Sequence, residues 1–169
     1  GGVELPPEAT DWVCVRDEVT GLIWEVKTDD GGLHDRDNSY SWFDSELVNA
    51  FNPDAEPWAG VADLDPLTVD NSQAYVEAVN AAGLCGASDW RLPQIDELYS
   101  LVDLSLADDP TLDTDFFPET KSERYWSGTS YRTVSHRSKN AWVVSFDSSH
   151  ISPLEKTGSL AIRLVREGN

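Results

Sequence analysis

Methionine is missing from all 169 residues, so the chain reads as a mature product or an excised domain. Any signal peptide has already left such a product. No stretch of about 18 apolar residues occurs, so no membrane insertion is expected. Basic residues are scarce: 12 Lys and Arg stand against 31 Asp and Glu, a formal charge of −19. Nucleic acid is therefore not an expected partner, because phosphate contacts need a positive footprint. An anionic bilayer surface is disfavoured for the same reason. Cysteine occurs twice, at Cys14 and Cys85, in no zinc spacing and no CxxC pair. Two buried thiols and a single disulfide both fit, and the second implies an oxidising compartment.

What the chain does have is aromatic: seven Trp, five Tyr and five Phe, enough for a real core at this length. Residues 1–10 read as a lead-in, and 11–169 as one domain. The stretch Leu84-Cys85-Gly86-Ala87-Ser88-Asp89-Trp90-Arg91-Leu92-Pro93 reads as a corner between two helices. The first helix carries an apolar stripe at Tyr75, Ala78, Val79 and Ala82, with Asp70 and Gln73 as a capping box and Gly83 as its stop. The second starts at Pro93, favoured in a first helical turn, and runs to about Leu104. Alternating patterns predict a hairpin of Trp12–Arg16 with Leu22–Val26. Three later strands are expected, at Tyr125–Ser127, Ala141–Phe146 and Leu160–Arg166. Strands at both ends with helices between give an α+β class in which the terminal strands pair.

The set Trp12-x-Cys14-Val15-Arg16-Asp17, Thr20-Gly21-Leu22-Ile23-Trp24-Glu25, Ser88-Asp89-Trp90-Arg91-Leu92-Pro93, Tyr125-Trp126-Ser127 and Arg163-Leu164-Val165-Arg166 resembles one bacterial family. It is similar to the C-terminal domain of the Legionella collagen-like adhesin, the Lcl C-terminal domain family. The resemblance implies a C-type-lectin-like fold, two helices packed on small antiparallel sheets with long loops. It also implies an extracellular or cell-surface home and an adhesive, carbohydrate-binding role. Some relatives bind sulfated polysaccharides and are displayed on trimeric stalks, so a glycan and further copies of the chain are the expected partners. An extracellular home removes the reducing pool and favours a Cys14–Cys85 disulfide. The Glu-Pro-Asn, Gln-Pro-Asp and Trp-Asn-Asp triplets that hold sugars through calcium in many lectins are absent.

No catalytic set stands out, and the chain is not expected to be an enzyme. His34, His136 and His150 lie in loop-like sequence, and no GxSxG, HExxH or P-loop occurs. Calcium is the one candidate cofactor. Asp35, Asp37, Ser39 and Ser41 with Glu46 have partial EF-hand spacing, but Tyr40 stands where the turn needs glycine. What remains is an irregular site from Asp29, Asp30, Asp35, Asp37 and Asn38, against the plainer reading of a solvated acidic loop. Trp12, Trp24, Trp90 and Trp142 read as core. Trp42, Trp58 and Trp126 are the candidate surface aromatics.

The sharpest signal is a charge contrast. From Arg124 to Phe146 there is no acid, while Arg124, Arg132, Arg137 and Lys139 contribute +4, leaving −23 on the rest of the chain. With His136, Tyr131 and Trp126 these four form the candidate ligand set. Arg suits bidentate contact with sulfate or carboxylate. The competing reading is that they neutralise acids within the fold or across a subunit interface. An assembly module of a stalk or filament, without a small ligand, is the alternative function.

Overall fold

The computed structural model describes residues 12–43, 71–106, 109–131 and 139–168. Within them the chain is α+β, with two three-stranded antiparallel sheets and two helices. In the first sheet, β1 (Cys14–Arg16) and β2 (Leu22–Glu25) form the expected hairpin. β2 also pairs with β6 (Val165–Glu167), Trp24 lying opposite Val165, so the last strand joins the second strand of the N-terminal hairpin and not the first. The second sheet holds β3 (Arg124–Ser130), β4 (Asn140–Ser145) and β5 (His150–Glu155) in that order.

β5 has no counterpart in the sequence reading, and its composition explains why. Pro153 sits mid-strand opposite Trp142 and removes a backbone donor, which a sheet tolerates at an edge. The expected strand at Leu160–Arg166 is shorter than its pattern. Leu160 and Ala161 make single bridges, to Tyr40 and Tyr125, and regular pairing begins at Val165.

α1 (Ser72–Ala82) is capped by Asn71, whose side chain accepts from the Ala74 amide at 2.9 Å. Asp70, the expected cap, lies outside the described residues. Tyr75 and Val79 are buried as the stripe requires, but Ala82 is exposed. Gly83 ends the helix at φ 71°, a left-handed conformation that glycine adopts without strain. A single 3-10 turn, Leu84–Gly86, leads into the corner.

α2 (Ile95–Tyr99) is far shorter than predicted. Its N-cap is Gln94, in a reciprocal capping box with Glu97, so Pro93 precedes the helix instead of opening it. Asp96 and Glu97 do fall in its first turn, where the helix dipole favours acids.

The Cys14–Cys85 disulfide is formed and joins β1 to the 3-10 turn across 71 residues of sequence. Closing a loop of that length contributes about 4 kcal/mol in the chain-entropy account. It lies towards the surface: Cys14 is half-buried and Cys85 exposed.

The corner is tied down on every side. Asn80 clamps Trp90 with an amide donated to its carbonyl (2.9 Å) and a carbonyl accepting from its N–H (2.8 Å). Arg91 pairs with both oxygens of Glu97 (2.7 and 2.8 Å) and with Glu167 (2.9 Å). Main-chain bonds link Arg91 to Val165 in both directions. The turn then packs against an irregularity in β3 between Trp126 and Ser130. There Gly128 donates to the Pro93 carbonyl at 2.7 Å. A Cβ on Gly128 would stand 3.2 Å from the Leu92 Cβ and 3.4 Å from its carbonyl oxygen.

Period-2 alternation sends neighbouring residues of β3 and β4 to opposite sides. Tyr125 and Val144 join a cluster with Leu22, Trp24, Leu98 and Phe146. Trp126 and Val143 join another with Trp42, Tyr75, Val79, Trp90, Ile162 and Leu164. The second sheet is therefore covered on both faces along much of its length.

Candidate functional site

The seven tryptophans are not equivalent, and their indole N–H groups show the difference. Trp12 donates to Phe116 O (3.0 Å), Trp42 to Ser127 O (2.8 Å), Trp90 to Leu84 O (3.0 Å) and Trp126 to Tyr40 O (2.8 Å). Trp24 is fully buried and its N–H finds no partner among the described residues. Trp142 is half-buried, and its indole N–H makes no hydrogen bond among the described residues. Trp58 lies outside them.

This reverses two sequence expectations. Trp42 and Trp126, read as surface aromatics, are buried, because both lock strands to the core through main-chain carbonyls. Trp142, read as core, is only half-buried although it lies in the central strand β4. Tyr131, just past the end of β3, meets it edge to face at 5.0 Å between ring centres. Ser127 holds the Trp142 carbonyl (2.8 Å), and Tyr131 N donates to the Asn140 carbonyl (2.9 Å). Both rings thus sit on hydrogen-bonded backbone at the loop end of the β3–β4 hairpin. Lys139 is exposed on the return of that hairpin. Arg132, His136 and Arg137 fall between β3 and β4 in the sequence and lie outside the described residues.

The rest of the ligand set is elsewhere. Arg124 opens β3, about 20 Å from Tyr131 at a strand's rise per residue. It lines a cleft of about 390 Å³ together with Asp37, Lys121, Glu123, Asp147 and Ser159. Arg124 of the basic set and Asp37 of the acidic set, unrelated in the sequence reading, are thus walls of one cleft.

The acidic loop is held together by its own backbone. Asp35 is buried and accepts from the amides of Asp30 (2.8 Å), Gly31 (2.6 Å) and Asp37 (2.8 Å), and these bonds lower its pKa. Asp30 accepts from Thr28 and from the Gly32 amide. Asp29 pairs with Arg36 at 2.8 Å and Asp37 with Lys121 at 2.5 Å. Asn38 turns its amide nitrogen to the Gly32 and Leu33 carbonyls, at 2.8 and 3.2 Å. Among the described residues no group of three or more His, Cys, Asp or Glu side chains is placed to hold a metal ion.

One cluster escaped the sequence reading. Glu25, fully buried, accepts from Lys27 Nζ (3.1 Å), from the Tyr75 hydroxyl and from the Leu164 amide (2.9 Å). His34 Nδ1 lies 2.9 Å from the same carboxylate. Burial alone raises the Glu25 pKa, but the Lys27 charge and the converging hydrogen bonds bring it down to about 2. Lys27 is buried too, and loss of solvent lowers its pKa against the pull of Glu25. Arg163 donates to the Glu25 carbonyl at 2.7 Å and lies 4.6 Å from the Phe117 ring centre. His34 belongs to the acidic loop, so this cluster anchors that loop to the core.

Among the described residues no helix is long and apolar enough to cross a membrane. A comparison with curated proteins gives no match. The Lcl C-terminal domain model matches residues 13–166, nearly the whole chain, and the chain belongs to that family.

Proposed function

We propose that this extracellular, surface-associated domain binds carbohydrate at the loop end of the β3–β4 hairpin. The observation that carries the reading is Trp142: a half-buried indole whose N–H makes no hydrogen bond among the described residues, set edge to face against Tyr131. Aromatic faces accept the C–H surface of a sugar ring, and an N–H at their rim supplies a directional donor. The hairpin loop adds cations without acids, since no Asp or Glu occurs between Arg124 and Phe146. An anionic saccharide, sulfated or uronic, suits that combination through guanidinium contacts from Arg132 and Arg137. The −23 on the rest of the chain opposes long-range approach of a polyanion, so the docked unit is short and held weakly. The lectin-like fold implied by the sequence resemblance agrees with a binding loop here. Calcium has no part in this reading, because the acidic loop engages its own backbone and cations.

Retention on a sulfated or uronic-acid resin tests it. Native protein is retained at low salt and released as salt rises, whereas Arg132→Ala with Arg137→Ala passes through with an unchanged melting temperature. Retention of that variant would remove the hairpin from the function and turn attention to assembly between copies.

A further inference from the structure

We propose that Pro153 guards the open edge of the second sheet and keeps copies of this domain from pairing strand to strand through β5. The two edges of that sheet are not alike. β3 is covered: Trp126 donates its main-chain N–H to Ala161 O at 3.0 Å, and Gly128 to Pro93 O at 2.7 Å. β5 has no such cover among the described residues, and an uncovered edge is a template for another strand.

The register decides which groups face outwards. Lys156 donates to Lys139 O at 2.8 Å, one step beyond the Glu155–Asn140 pair, so bonded and non-bonded pairs alternate back from there. By that alternation His150, Ser152 and Leu154 bond to β4, while Ile151, Pro153 and Glu155 turn their main-chain groups away from it. The Tyr131 bond to Asn140 O, on the far side of β4, fits the same alternation.

The outward groups are then few. Glu155 O accepts from Gly158 N at 2.9 Å. Ile151 keeps an N–H and a carbonyl without a partner among the described residues, and its side chain is exposed. A β-branched apolar residue in that setting favours pairing. Pro153 comes next along the edge and has no N–H to offer. Consider a two-fold antiparallel contact that sets Pro153 opposite Pro153 of a second copy. Both central bonds are missing from it, and the two rings meet. A proline at Ser152 or Leu154 would instead break a bond to β4. Position 153 therefore costs the sheet nothing and blocks its edge. The net charge of −19 also keeps copies apart, but salt screens that repulsion and leaves the proline's effect intact. The inference draws nothing from carbohydrate binding.

Pro153→Val restores the outward N–H with a strand-forming side chain, and Pro153→Ala restores it with a minimal one should the larger residue disturb folding. Sedimentation of native protein and both variants is followed from micromolar to millimolar concentration at physiological salt, on material with native near-ultraviolet circular dichroism. The expected result is self-association at least about tenfold tighter than that of native protein, because two main-chain bonds return at the contact. The Ile151 amide, open to hydrogen exchange in native protein, becomes protected as the variants associate. Adding Ile151→Lys to Pro153→Val returns native behaviour, since a lysine on an edge opposes pairing. Variants that sediment as native protein does, or that associate while the Ile151 amide still exchanges freely, overturn the proposal.

Discussion

The Lys27 ammonium lies 3.1 Å from the Glu25 carboxylate in a core from which both are excluded from water. Their link carries a pH signature. The Glu25 pKa is lowered from an ordinary 4.5 to about 2, so its contribution is fully present above pH 4.5 and is lost as pH falls towards 2. A shift of that size corresponds to about 3 kcal/mol. Glu25→Gln, which leaves the Lys27 charge buried without its partner, is expected to cost about 3–5 kcal/mol at neutral pH. The stability gap between native and Gln forms, measured by urea unfolding, should narrow as pH drops from 4.5 to 2. A gap that stays constant over that range would contradict the assignment.

The disulfide gives a second prediction. Alkylation without reductant should add nothing to the mass of denatured protein, and reduction should then admit two adducts. Cys14→Ser with Cys85→Ser should lower stability by about 4 kcal/mol, since the bond closes a long loop of the unfolded chain. Two adducts on unreduced protein would end the claim.

Gly128 is expected to tolerate no side chain. Gly128→Ala sets a methyl against the Leu92 Cβ and carbonyl and should cost about 1–3 kcal/mol, read as a fall in melting temperature. An unchanged melting temperature would show that the corner and β3 do not pack as closely as described.

The acidic loop should behave as a structural element. Asp35→Ala removes the acceptor for three backbone amides and should lower the melting temperature equally with calcium and with chelator. A calcium-dependent rise in the melting temperature of native protein, abolished by that substitution, would restore the cation reading.

Much of the fold was legible because its elements announce themselves locally. The β1–β2 hairpin shows alternation around a Gly21 turn, α1 shows a stripe ended by Gly83, and the corner has its own signature. That the last strand joins the N-terminal hairpin followed from strands at both ends, although its partner is β2 and not β1. Other features depend on contacts that no local pattern encodes. β5 is hidden by Pro153 because the edge position that permits a proline is a fact of topology. Trp126 lies among polar neighbours and Trp142 among apolar ones, yet a sheet covered on both faces blurs the alternation that would tell which is buried. Glu25 and Lys27 alternate with Trp24 and Val26, a spacing that carries no sign of a buried charge pair. Their burial depends on Tyr75 and His34, brought in from elsewhere in the chain. The cleft likewise joins Asp37 to Arg124 across 87 positions of sequence.

The hairpin site is tested most directly at the Trp142 indole N–H. Titration with a sulfated disaccharide, followed by the seven indole signals, should move Trp142 far more than the bonded indoles of Trp42, Trp90 and Trp126. Tyr131→Ala should weaken that response by about tenfold, on the scale of one lost aromatic contact. A Trp142 signal that stays fixed while the others move, or no movement up to millimolar ligand, would contradict carbohydrate binding at the hairpin.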